Sequence, residues 1–225
     1  MIELQNPYIS VEYETDRSYG GNQRMSGNRV IASCGCGLVA ALDVLLYLAK
    51  NKACSVSADI KSLSLYDFAP AEKYNAVLKK LAISYLPVIP GHGMNGLGLM
   101  AGMQMYFKRY SLPYTCYWCI SDKGIWDKVE MMLKRDIPVI MSIGPNFPRV
   151  WKDKKLFLYK KLSNGEFRHT SSVKAHFITI TGMDDNWLKI SSWGQCYYIN
   201  RRMYEEYVSI YSAALVSNIL YIKEK

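Results

Sequence analysis

The sequence predicts an α+β fold in a single domain spanning 1–225. Helical periodicity fills the first half, strand-like runs dominate after Pro113, and 50% of the residues are hydrophobic, enough for one sizeable core. A charged fraction of 21% and an aromatic fraction of 13% exclude a disordered chain or a coiled coil. The length is about 1.5 times that of a usual domain, which fits one large unit better than two independent ones.

The strongest element is Cys36 to Asn51, CGLVAALDVLLYLAKN, apolar nearly all round and therefore a buried helix. Weaker helical patterns cover Ser57 to Phe68 and Ala71 to Ala82, and a Met-rich helix from Gly96 to Tyr110 is entered through the glycine cluster GHGMNGLG. YTCYWCI then reads as a strand, Asp122 as the cap of a helix GIWDKVEMMLKRD, and IPVIMSI as a short buried strand. LFLYKKL and EFRHT around Ser163-Asn164-Gly165 read as a hairpin. A sharper one is AHFITITGMDDNWLKISSWGQCYYI, with its turn between Gly182 and Asn186. The helix NRRMYEEYVSIY and the strand AALVSNILYI close the chain.

MIELQNPYIS lacks the basic start and apolar run of a secretory signal, and Ile31 to Ala49 is too polar at its start to span a membrane. Six cysteines without such a signal read as reduced thiols, so the cytoplasm is the expected location. Twenty-eight basic against 19 acidic residues give a net charge of +9, a field that attracts anions without selecting among them. The expected partner is a peptide or protein substrate, with no specific nucleic acid and no membrane; the oligomeric state is left open.

Chemistry points to Cys36. A helix start favours thiolate over thiol, and its free amides can hold an oxyanion. Gly35 and Gly37 flank the sulfur and leave room for a substrate chain. A thiol nucleophile needs a histidine partner, and the choice lies among His92, His169 and His176. His176 opens an apolar strand. Folding the hairpin about Asp184 pairs it with Ser192, which brings Ser191 and Ser192 beside the ring as orienting groups and Trp193 beside it as a water-excluding neighbour.

These residues resemble the papain-like cysteine peptidases, and most closely the bacterial C39-like branch. CGLVAALDVLLYL is similar to that family's nucleophile helix, AHFITITGMDDNWLKISSWG to its histidine strand, and SSWG to the NSWG of papain. The separation of Cys36 and His176 falls in the papain-like range of roughly 130 to 150 residues. The resemblance implies a papain-like architecture, with the buried Cys-bearing helix packed on a mostly antiparallel sheet that carries the histidine. It also implies a cysteine peptidase or related thiol-dependent amide hydrolase, with no metal or organic cofactor.

Three departures stand beside it. Ser191 or Ser192 replaces the usual Asn or Asp, which leaves a catalytically inactive peptide-binding module on the same fold as the alternative. The family's oxyanion-hole glutamine lies six residues before its nucleophile, a position held by Val30 if Cys36 is the nucleophile and by Asn28 if Cys34 is. Helix register favours Cys36 and this spacing favours Cys34. Leu38 replaces the proline of the family's CGPT-type segment.

Other motifs read more plainly. Cys116 and Cys119 have the spacing of half a zinc site, without a second pair, and fit strand packing. Gly91 to Gly98 lacks the context of a dinucleotide fingerprint and suits a loop bordering the cleft. The basic interval from Arg149 to Lys161 matches a solvated hairpin face, and Met94 to Met105 adaptable core.

Overall fold

The computed structural model describes residues 1–225 apart from Thr15 and Ala53. Three short strands come first, β1 (Ile2–Glu3), β2 (Val11–Tyr13) and β3 (Asp16–Arg17). A single 3₁₀ turn (Gln23–Met25) leads to helices α1 (Arg29–Cys34), α2 (Cys36–Asn51) and α3 (Ala58–Ser64), strand β4 (Ala69–Pro70), and helices α4 (Ala71–Ser84) and α5 (Gly96–Arg109). The second half holds β5 (Tyr114–Trp118), α6 (Ile125–Lys134), β6 (Val139–Ile143), β7 (Leu156–Lys161), β8 (Phe167–Val173), β9 (His176–Met183), β10 (Trp187–Ser192), β11 (Gln195–Asn200), α7 (Arg201–Tyr211) and β12 (Ile219–Glu224).

The expected α+β class is what forms, with a largely antiparallel main sheet in the order β5-β12-β6-β9-β10-β11-β7-β8 and β1 added beside β9. Strands β1 to β3 were not anticipated because each is only two or three residues long, too short to display a period. Every residue of β6 and β9 is buried, so helices and loops cover the middle of the sheet on both faces. Helix α2 is buried from Gly37 to Leu48 and packs against β9 and β6, with α3, α4 and α5 around it. Its all-round apolarity thus reflects a central position.

Two local expectations need correction. Asp122 does not cap α6 through its side chain: the N-cap is Gly124, left-handed at φ 65, and only the Asp122 carbonyl accepts from Ile125 N–H. The β9–β10 hairpin is not centred on Asp184, because Leu188 faces Met183 and Ser191 faces Thr179, with a bulge between Lys189 and Ile190. Asp184 opens the turn instead, its carboxylate accepting from Asn186 and Trp187 N–H at 2.9 and 2.8 Å. His176 and Ser192 are therefore diagonal neighbours rather than a facing pair. A slip of two residues keeps every side chain on its face, so the two groups still meet.

One charge sits inside α2. Asp43 is buried, accepts from Tyr74 Oη at 2.7 Å and Tyr8 Oη at 3.2 Å, and takes the backbone N–H of Gly21 at 2.9 Å. A side chain at Gly20 would stand 2.3 Å from Ser191 Oγ and 2.6 Å from the Asp43 carboxylate, so glycine is what lets the Tyr19–Asn22 segment lie this close. Burial raises the Asp43 pKa to about 6, outweighing the donors from Tyr74, Gly21 and Tyr8 that lower it. Its folded value lies above the unfolded one, so its contribution to stability is full below about pH 4 and is lost as pH rises through 6. The unfolding free energy of the wild type, measured against Asp43→Asn by urea titration, is expected to fall by about 2 kcal/mol between pH 4 and pH 7. A constant difference would show that the carboxyl is not desolvated.

Candidate active site

Cys36 is the first residue of α2, and Gly35 is shared between the end of α1 and the start of α2. The two glycines do not open space for a substrate as expected. A Cβ on Gly35 would lie 2.6 Å from Ile31 side-chain and carbonyl atoms, and one on Gly37 3.0 Å from Phe177. They allow the sharp helix junction and the close approach of α2 to β9 instead.

His176 begins β9, after Ala175 in the left-handed region at φ 51. Its Nε2 lies 2.8 Å from Ser192 Oγ, which leaves Nδ1 for another partner. Ser191 faces elsewhere and donates to the Tyr19 carbonyl at 2.7 Å, as alternation along a strand requires. Trp193 stacks over the imidazole with ring centroids 4.8 Å apart and an interplanar angle of 32°. It occupies the first central position of a two-residue turn joining β10 to β11, Trp193 at φ 50 and Gly194 at φ 72. Both positions are left-handed, as a primed hairpin turn demands.

Two cavities share this corner. A narrow cleft of about 10 Å³, room for little more than one water, is bordered by Cys36, His176, Ser192 and Trp193 together with Gln23 and Asp43. A larger groove of about 640 Å³ is bordered by Cys36, His176 and Gln23 again, and by Cys34 and the loop from Gly91 to Leu97. The structure brings Cys36 and His176 to both cavities, and Cys34 to the groove alone. His92 borders the groove on that loop, whereas His169 lies on β8 against Phe157, 4.5 Å between centroids.

Asn28 does not border either cavity. Its Oδ1 caps α1, accepting from Val30 and Ile31 N–H at 3.0 Å each, which holds the side chain at the helix start and away from both cavities. Gln23, by contrast, borders both cavities. It is buried, gives one Nε2 hydrogen to the Ala32 carbonyl at 3.1 Å, and keeps a second. Sequence reasoning missed it because it lies 13 positions before Cys36 on a short 3₁₀ turn with no periodic signal. Asp43 was the other omission, and it had a signal: it is the single acid in α2.

Burial reverses the expected electrostatics. Desolvation raises the Cys36 pKa above its ordinary value despite the backbone amides of Phe177, Gly37 and Cys36, which pull it down. His176 is pushed down to about 4, chiefly by burial and secondarily by the Arg24 guanidinium. The helix start does not outweigh dehydration. At rest the pair is neutral thiol and neutral imidazole.

No family model matches the chain, and no curated protein matches it. A solved structure from Bacillus anthracis, provisionally described as a C39-like peptidase, is similar to it. The two are 16% identical with a TM-score of 0.43, over 85% of this chain and 90% of that one. At this distance the likeness bears no weight in reading the site. Among the described residues no helix is long and apolar enough to cross a membrane.

Since Trp193 is the ring's cover, Trp193→Ala is expected to rehydrate His176 and move its pKa from about 4 toward 6.5, followed by NMR titration of the imidazole. A value that stays near 4 would assign the dehydration to other neighbours.

Proposed function

We propose that the chain is a cysteine-dependent amide hydrolase of papain-like architecture acting on peptides, with Cys36 as nucleophile and His176 as its base. The observation that carries the reading is the convergence of Cys36, His176, Ser192 and Gln23 on one narrow cleft that adjoins a groove large enough for a peptide segment. Ser192 engages the imidazole at Nε2, which leaves Nδ1 as the nitrogen to take the thiol proton.

Because both partners start neutral, the proton moves as the sulfur attacks. His176 takes it from Cys36, the sulfur bonds to the carbonyl carbon, and the free amide hydrogen of Gln23 with the Cys36 backbone N–H receives the oxyanion. The imidazolium then protonates the departing amine. Water, deprotonated by the neutral ring, releases the acyl group and restores the thiol. Cys34 takes no part in this sequence.

A non-catalytic peptide-binding module is the second reading, favoured by the uncharged Ser192 hydroxyl as the ring's partner in place of an amide or carboxylate. Alkylation separates the two. At pH 7.5, iodoacetamide labelling of Cys36, located by mass spectrometry, is expected to slow at least about tenfold in His176→Ala and to accelerate in Ser192→Asp, whose carboxylate stabilises the imidazolium. Labelling of Cys34 and Cys54 stays constant. Equal Cys36 rates with and without His176 would remove the hydrolase reading.

A further inference from the structure

Beyond Trp193, the β10–β11 turn carries a short aromatic ridge. His176 and Trp193 stack at 4.8 Å, and Trp193 meets the Tyr197 ring edge-on at 6.3 Å. A cation rests on each of the last two rings. The Arg24 guanidinium lies 4.8 Å from the centroid of Trp193, and the Lys160 ammonium 4.2 Å from that of Tyr197.

Among the described residues neither cation has a carboxylate partner, although other basic residues do: Lys189 pairs with Glu3, Lys174 with Asp153 and Lys134 with Glu130. Arg24 is not loosely placed. Its backbone N–H is capped by Asn22 Oδ1 at 3.1 Å within the 3₁₀ turn, which buries Gln23 in the cleft and leaves Arg24 exposed at the rim. Two like charges therefore lie on neighbouring aromatic rings without a carboxylate partner, beyond the end of the cleft where the imidazole lies.

We propose that this ridge receives a carboxylate of the substrate, carried on the leaving-group side of the amide that Cys36 attacks. The side follows from the chemistry: His176 delivers a proton to the departing amine, so that part of the substrate passes along His176 and Trp193. A guanidinium offers a carboxylate two parallel hydrogen bonds, which makes Arg24 the orienting contact and Lys160 the supporting charge. The inference deepens the hydrolase reading and depends on it.

The test compares alkylation of Cys36 by iodoacetate, which carries a carboxylate, with alkylation by neutral iodoacetamide at low ionic strength. The quotient of the two rates cancels any change in thiol reactivity and isolates the field acting on the anion. It is expected to fall about fivefold in Arg24→Gln, further in Arg24→Gln with Lys160→Gln, and to shrink in the wild type when salt is raised to 0.5 M. A quotient unchanged in the double variant, with iodoacetamide labelling still dependent on His176, overturns the carboxylate site and leaves the hydrolase reading standing. Loss of that His176 dependence overturns both.

Discussion

The site depends on one buried carboxylate that is not itself proposed to react. Asp43 sits two turns along the helix that begins with Cys36, and it accepts the Gly21 N–H and two tyrosine hydroxyls inside the apolar core. Gly21 belongs to the segment that brings Gln23 to the cleft, so a single acceptor links that segment to the cysteine helix. Ser191 fastens the same segment from the sheet side through the Tyr19 carbonyl. The loop is thus pinned between helix and sheet, and Gln23 is held beside Cys36 by a single short 3₁₀ turn rather than by a long element. Removing solvent from a carboxyl is unfavourable, and the three donors offset only part of that penalty.

Dehydration also governs the proposed chemistry. The same burial that raises the Asp43 carboxyl raises the Cys36 thiol and lowers His176, so three titratable groups bordering one narrow cleft are all displaced toward their neutral forms. A helix start with three amides near the sulfur does not reverse this. The consequence for the proposed chemistry is a cysteine and a histidine that wait uncharged and separate charge during attack, where the oxyanion and the imidazolium arise together beside donors already in place.

Much of this was legible in the sequence where periodicity was long. Helix α2, the Met-rich α5 and the β9–β10 hairpin follow from apolar spacing alone, and Cys36, His176 and Ser192 were singled out together. What escaped were features that short-range pattern does not encode. The strands β1 to β3 draw their stability from pairing partners far along the chain or from each other, and their residues carry no alternation. Gln23 is positioned by a loop whose path is set by Asp43 and Ser191, both distant in sequence. Asn28 was chosen by spacing to Cys34, but an asparagine directly before a helical run is first of all a cap. Gly35 and Gly37 were read as openings, and the chain uses them for close packing.

The turn that presents Trp193 has a consequence for traffic through the cleft. A bulky residue at φ 50 is held there because Ser192 pairs with Gln195 across the hairpin, and because the Gly194 carbonyl receives Tyr19 N–H at 2.7 Å. The backbone under the indole is therefore fixed, and the ring itself rests against His176 and beneath the Arg24 guanidinium. The larger space beside the sulfur is the groove bordered by the glycine loop, and the indole stands at the opposite, narrow cleft.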